Sequence, residues 1–278
     1  MSKENYNALF SGVTQNLPRT EILVEDIFPF ENQPFELYSE EKLEQLTKDI
    51  EENGLYSPIH VRPYKGGYQI ISGHNRFNAI KRLGWTSAPV TVETLTDEEA
   101  KIRLVNSNLY QRQFIKESEK VKAFSLKVGA IKKQGRKGSN ALEFVAKHEK
   151  ISIRTLSRYL ACKTLIDDFL ELLDKKKISL AIGELLGKIS VENQQLLIDY
   201  TINNEVKFTL ENAKLLRELK EFTEENLDRI FFPLKEEKEA TEGSEETEET
   251  EEFNILDYFV SEEKYYEFKE KYMKLKGE

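Results

Sequence analysis

Two strand-like runs, Ile59–Tyr64 and Tyr68–Ser72, flank Lys65-Gly66-Gly67. Glycine there supplies the positive φ of a tight hairpin, so the stretch reads as two antiparallel strands. Gly73 follows the second strand at once. His74–Leu83 then places Phe77, Ile80 and Leu83 on one helical face, with Gly84 as its stop. A strand that becomes a helix at one glycine leaves little freedom, because the helix must pack back on the sheet just formed.

The flanking sequence completes a small mixed α/β domain over residues 21–115, after a loose N-terminus at 1–20. Glu21–Ile27 has a strand rhythm, and Phe30–Tyr38, with Pro34, is a loop. Ser39 with Glu40 and Glu41 predicts a capped helix start; Leu43, Leu46 and Ile50 give its apolar face and Gly54 its stop. Pro89–Glu93 is a short strand, and Thr96-Asp97-Glu98-Glu99 has capping-box spacing for a helix running to Tyr110.

From Lys116 the pattern is all-helical, predicting a second domain over 116–235 and an α+β chain. The helices are Glu117–Gln134, Ala141–His148, Ser152–Leu160, Leu165–Asp174, Leu180–Lys188, Val191–Asn203 and Thr209–Glu221. Residues 236–252 carry ten acids and one lysine with almost nothing apolar, so a disordered linker is expected. Phe253–Glu278 is aromatic-rich and too short for a core of its own. It must dock on this chain, a second copy or a partner; self-association is the expected role.

The formal net charge of −9 argues at first against a nucleic-acid partner. Its distribution reverses that reading. Residues 111–163 hold 14 basic and 4 acidic side chains, +10, inside an otherwise acidic chain. Such a block is either a lysine-rich solvated helix face or the footprint of a polyanion-binding surface. No stretch is apolar enough to cross a bilayer, no secretory signal is visible, and the single Cys162 forms no internal disulfide. Without a Cys/His cluster there is no zinc site. A cytoplasmic protein is expected.

Within the basic block, Ala141–His148 and Ser152–Leu160 are spaced as a helix-turn-helix. Ala146 suits close helix packing, and Ile151 and Leu156 are placed to plug between the helices. Lys150 stands where such turns usually have glycine. Ser152, Arg154, Thr155 and Arg158 lie on faces other than that of Leu156, and these residue types reach bases and phosphates. Arg136 and Lys137, in the basic loop Gly135–Ser139, are assigned to the same DNA surface.

The glycine corner has two readings. A helix N-terminus offers unpaired N–H groups and partial positive charge to a phosphate, and Ser72, Gly73, His74, Asn75 and Arg76 gather suitable donors there. Arg76 would bracket the phosphate. The other reading is a plain strand–helix corner with a solvent-facing arginine, His74 serving in capping or packing. No nucleophilic triad is spaced in the sequence, and Cys162 reads as packing.

The order of these parts resembles the ParB family of DNA-partition proteins, particularly divergent plasmid and mobile-element members. The resemblance is carried by Ile27–Phe35, similar to the family's proline-rich box, and by Ile50–Arg62, similar to its S-I-x-x-x-G-x-x-x-P-I-x-V-R segment. Tyr68–Ala79 sits where the family has G-E-R-R-x-x-A. Ser107–Arg112 with Glu117–Lys120 resembles E-N-x-Q-R followed by P-x-E-x-A.

The resemblance implies a ParB/sulfiredoxin-like N-terminal domain and a homodimer that binds an inverted-repeat site in double-stranded DNA, on a nucleoid or plasmid. It also implies a Walker-type partition ATPase as partner. Gating by CTP with magnesium follows, with at most weak CTP hydrolysis. Carried over by position, Gly73 and Arg76 would hold phosphate, and Gly54, Ser57, Pro58 and Ile59 would border the nucleotide. Asn108 would help hold the metal, Arg112 would serve the nucleotide or the DNA, and Ser152–Tyr159 would read the major groove.

The chain departs from the family in having His74 for its acid, Asn75 for its first arginine, Ser107 for the acid before the asparagine, and an inserted Tyr110. Ser107 takes away an expected magnesium ligand. Sulfiredoxin chemistry needs a cysteine beside the glycine, and none is there. Two alternatives are a transcriptional regulator on the same scaffold and an enzyme of that fold, a nucleotidase, nuclease or kinase.

Overall fold

The computed structural model describes residues 18–136 and 138–233. Residues 1–17, Lys137, the Glu-rich linker at 236–252 and the aromatic segment at 253–278 lie outside the described residues. The chain divides into two compact units between Lys163 and Thr164.

The first unit opens with β1 (Arg19–Leu23), a 3-10 turn at Val24–Asp26, and β2 (Ile27–Phe28). Helix α1 (Glu40–Asn53), strands β3 (Ile59–Tyr64) and β4 (Gly67–Ser72), helix α2 (His74–Arg82) and strand β5 (Ser87–Val92) follow. The expected single strand at Glu21–Ile27 is thus broken. The reason is topological: the sheet order is β1-β5-β3-β4-β2, so β1 and β2 are opposite edges. Four residue steps reach at most about 14 Å, whereas four strand spacings need about 19 Å. The sheet therefore curls until its edges approach, and the 3-10 turn spans the gap.

The pairing is mixed. Strand β5 is antiparallel to β1 and parallel to β3; β4 is antiparallel to β3 and parallel to β2. The hairpin turn is Lys65 and Gly66, both at positive φ (48° and 82°), as a two-residue turn of the sheet's own twist requires. Adjacent residues of β4 serve opposite faces. Ile70 packs with Leu43, Ile50, Val61, Phe77, Ile80 and Val90 under α1 and α2. Ile71 packs with Phe30, Ala100 and Leu104.

Helix α3 (Asp97–Gln111) covers that second face, and its Thr96–Glu99 capping box forms with both bonds. The expected cap at Ser39 is present in position only: its carbonyl accepts the Leu43 N–H, but its hydroxyl makes no cap bond. Helix α4 (Glu117–Lys133) packs on α3 through Ala123 and Val105, with Phe35 between. Packing therefore continues across residues 115/116, where the sequence turns all-helical. Helices α5 (Ser139–Glu149) and α6 (Ile153–Ala161) and a 3-10 turn at Cys162–Thr164 follow.

The second unit is helical: α7 (Asp167–Asp174), α8 (Leu180–Leu186), α9 (Val191–Asn204), α10 (Leu210–Glu218) and α11 (Glu224–Phe231). The last was not singled out in the sequence, although Thr223 caps it by accepting the Asn226 N–H. Its Phe231 stacks on Tyr200 and meets Phe208 edge-on. Gln194 is fully buried and satisfied, donating to Thr164 and Ile189 carbonyls and accepting the Ile166 N–H. The chain is α+β, as expected.

Candidate phosphate corner and nucleic-acid interface

The glycine corner forms where β4 ends. A register shift between His60 and Val61 places a bulge beside Ser72, and bulges of this kind re-aim nearby side chains. Gly73 then adopts φ +104°, and α2 begins at His74. A Cβ at Gly73 would lie 3.0 Å from the Arg76 guanidinium, so the glycine keeps open a space directly over that cation.

Arg76 does not point to solvent. Its Nη1 donates to the carbonyls of Ser57 (2.5 Å) and Pro58 (2.8 Å), drawing the 54–59 segment onto α2. This removes the solvent-facing alternative. Gly54 at φ 73° closes α1, and Ile59 is fully buried in the sheet core. His74 is buried, and its Nε2 accepts the Phe30 N–H at 3.2 Å; it packs and orients, as the second sequence reading has it. Asn75 Oδ1 accepts the Tyr38 N–H at 3.0 Å. The two side chains thus fasten the 30–38 loop to the corner.

The local field is positive. Burial lowers His74 to about 4, helped by Arg112. Burial lowers His60 to about 4, helped by Arg76 and Arg103. Both imidazoles are therefore neutral at pH 7, and the cations beside them favour an anion. With no acid in the first turn of α2 and a Cβ-free opening at Gly73, the corner fits a phosphate.

A protein-held magnesium fits less well. Asn108 donates its Nδ2 to Leu104 O, and Ser107 Oγ donates to the same carbonyl. Among the described residues no group of three His, Cys, Asp or Glu side chains converges. Arg112 sits over the Phe35 ring and bonds Glu36 O (3.0 Å) and Glu119 (3.3 Å), lashing the end of α3 to the loop and to α4.

The candidate helix-turn-helix falls on α5 and α6, which are joined by a short turn. Lys150 takes the left-handed conformation (φ 55°) where a glycine would be easiest, and the Ile151 N–H returns to Ala146 O at 3.0 Å. Ser152 caps α6 by accepting the Thr155 N–H at 3.0 Å, and the two hydroxyls lie 2.8 Å apart. Leu156 and Ala146 are both buried. Arg154 is exposed on α6 and Arg158 is half-buried one turn on. Arg136 stacks on Phe144 of α5, 3.8 Å from its centroid. Lys137 lies outside the described residues.

Two anchors were not singled out from sequence. Tyr159 packs edge-on against Phe124 and donates to Glu117 Oε2 at 2.6 Å, fixing α6 to α4. Lys127 is fully buried and donates to Asn106 and Glu149. Its signal was its spacing, three residues after Phe124 and four before Ile131 on the apolar stripe.

Residues 10–109 match the ParB N-terminal domain family. The sheet and glycine corner just described fall within that stretch, which is similar to ParB N-terminal domains. A nucleoid occlusion protein of Lysinibacillus sphaericus is 27% identical over 217 residues, 78% of this chain and 66% of that protein. The chromosome-partitioning protein Spo0J of Thermus thermophilus is 32% identical over 123 residues, 42% of this chain and 45% of that one. The chain thus spans from under half to about two thirds of the length of these curated relatives. The C-terminally truncated ParB of Caulobacter crescentus, solved in complex with the centromeric parS site, aligns at 20% identity with a TM-score of 0.41. That alignment covers 72% of this chain and 98% of the other. Among the described residues no helix is long and apolar enough to cross a membrane.

Proposed function

We infer that the chain is a sequence-specific DNA-binding protein of the chromosome-partition and nucleoid-occlusion kind. The observation that carries this reading is α6: capped by Ser152, anchored from behind by Leu156 and Tyr159, and exposing Arg154 to solvent within the +10 block. A rigidly backed helix with an outward arginine suits guanine edges in a major groove, and flanking lysines suit phosphates. The names of the curated relatives agree with it. An inverted-repeat site matches a two-fold dimer, so this reading includes a homodimer. A partner ATPase and a nucleoid location belong to it as well.

The corner supplies a gate. Arg76 holds the Ser57 and Pro58 carbonyls, and a nucleotide phosphate at the N-terminus of α2 competes for that guanidinium. Exchange releases the 54–59 segment to close on the nucleotide. CTP is the nucleotide of this reading, and magnesium arrives with its phosphates and water rather than in a protein cage. His74 serves no base role, because its Nε2 already accepts the Phe30 N–H.

The test is selection of binding sites from random duplexes, then affinity measured against salt. We expect an inverted repeat and a steep salt slope. Arg154→Ala with Arg158→Ala should weaken binding by about a hundredfold or more, as loss of two base or phosphate contacts does. Unchanged binding would refute the recognition-helix assignment.

A further inference from the structure

Helix α4 carries a glycine that its packing does not require. Gly129 lies in the interior of that helix, and a Cβ built on it would meet nothing within 4 Å. Glycine in a helix interior lowers stability relative to alanine. Neither a turn nor a close neighbour accounts for it here, and the space it leaves open is part of a cavity. That cavity holds about 490 Å³ between the Asn32–Pro34 loop and helices α3 and α4, with no lining residue from 54–59 or 72–76.

The lining is cationic. Lys101, Lys122, Lys133 and Lys163 line it against one carboxylate, Glu98, an excess of three positive charges. Glu98 Oε1 already takes Lys101 at 3.1 Å and Lys133 at 3.6 Å, and its Oε2 is buried out of reach of any occupant. Lys122 and Lys163 are exposed and make no ion pair among the described residues. Asn32, in the left-handed conformation at φ 53°, adds an amide to the lining.

Lysine ammoniums are point charges, so they recognise negative charge rather than a planar or sugar-shaped group. Their layout sets the length of the anion. Lys122 and Lys133 stand three turns apart on α4, about 16 Å along its axis. A single phosphate is too small to lie along that row. A linear chain of phosphates can follow it, passing Gly129 between the two lysines, where a side chain would stand in its way. We propose that this groove is a second anion site, for a linear oligophosphate (inorganic polyphosphate or the phosphate tail of a nucleotide), held by Lys101, Lys122, Lys133 and Lys163 over Gly129.

The test is calorimetric titration of the full chain with inorganic tripolyphosphate, pyrophosphate and orthophosphate. Two equivalents of tripolyphosphate are expected, one at the glycine corner and one here. Arg76→Ala should remove the corner's equivalent and leave the other. In that background affinity should fall about tenfold from tripolyphosphate to pyrophosphate and again to orthophosphate, because each step removes a charge-assisted contact. Lys122→Gln with Lys163→Gln should weaken tripolyphosphate about tenfold or more. Gly129→Leu should weaken it too while holding or raising the thermal midpoint, since leucine is the better helix former. Misfolding cannot produce that pair of effects. CTP that matches tripolyphosphate in the Arg76→Ala background makes the nucleotide tail the source, and weaker CTP makes it the free chain. Equal affinity for the three anions overturns the proposal, as does tripolyphosphate binding kept in both the lysine and the glycine variants. So does no binding, or a single equivalent that Arg76→Ala abolishes. A single equivalent indifferent to Arg76→Ala but lost in the lysine pair upholds this site and overturns the corner instead.

Discussion

Lys127 of α4 and Glu149, the last residue of α5, form an ion pair in which the lysine is fully buried and the carboxylate side chain 7% exposed. Asn106 of α3 accepts from the same ammonium. Burial lowers the lysine's pKa, and the nearby Glu149 charge works against that. For Glu149, burial pushes upward, but His148 and Lys127 bring it below the ordinary value. Three helices therefore meet at one satisfied buried charge, immediately before the turn that leads into α6.

Breaking this pair from one side should be expensive. Lys127→Met leaves Glu149 buried without its counter-ion and is expected to cost about 3–5 kcal/mol. Lys127→Met with Glu149→Leu removes both charges and should recover most of that loss. Urea unfolding of the wild type and both variants measures it.

Gly73 should tolerate no side chain. Its φ of +104° strains any L residue, and a Cβ would press on Arg76 at 3.0 Å. Gly73→Ala is expected to cost about 1–3 kcal/mol and to weaken nucleotide binding. Thermal unfolding and a CTP titration separate the two effects.

Gly67 tests the curled sheet. A Cβ there would meet Asp26 O at 2.6 Å and Phe28 at 3.0 Å, the point where the β1–β2 link closes on β4. Gly67→Val should therefore lower the thermal midpoint clearly, whereas Gly66→Asn, in the hairpin turn with open space around it, should lower it little.

Acid should destabilise the first unit through His74. Its folded value, about 4, lies below the ordinary 6.5, so the unfolded chain binds the proton more readily. Its contribution is complete above pH 6.5 and is lost as pH falls toward 4, by about 3 kcal/mol in total. His60, lowered equally, adds a like amount over the same window, so unfolding free energies measured from pH 7 to pH 4.5 should fall with both contributions and His74→Gln should remove about half of the slope.

Tyr159 should prove structural rather than DNA-reading. Its hydroxyl, 2.6 Å from Glu117, is worth about 1.5–3 kcal/mol as a bond to a charged acceptor. Tyr159→Phe should lower stability by that order, read by urea unfolding. In folded protein it should reduce DNA affinity far less than Arg154→Ala.

Much of the site was legible in the residues. The Lys65–Gly66 hairpin, the Gly73 corner, the Thr96 capping box and the α5–α6 spacing all rest on local signals, which a chain carries wherever it folds. The broken strand at Val24–Asp26 was not legible, because it reflects the partners of β1 and β2 at opposite sheet edges. The fate of Arg76 was hidden for the same reason. Nothing near it in sequence names the Ser57 and Pro58 carbonyls, 19 and 18 residues away.

The sequence by itself determined the hairpin, the helix starts and stops, and the basic block that the net charge of −9 conceals. These follow from backbone preferences, apolar spacing and counted charge, all local or additive. Tertiary structure alone decided what the polar side chains do. It turned Arg76 inward, made His74 an acceptor, buried Lys127 against Glu149 and left Glu98 facing a lysine-lined cavity. A polar group's role depends on which partners packing brings within hydrogen-bond reach, and that distance is set by the fold.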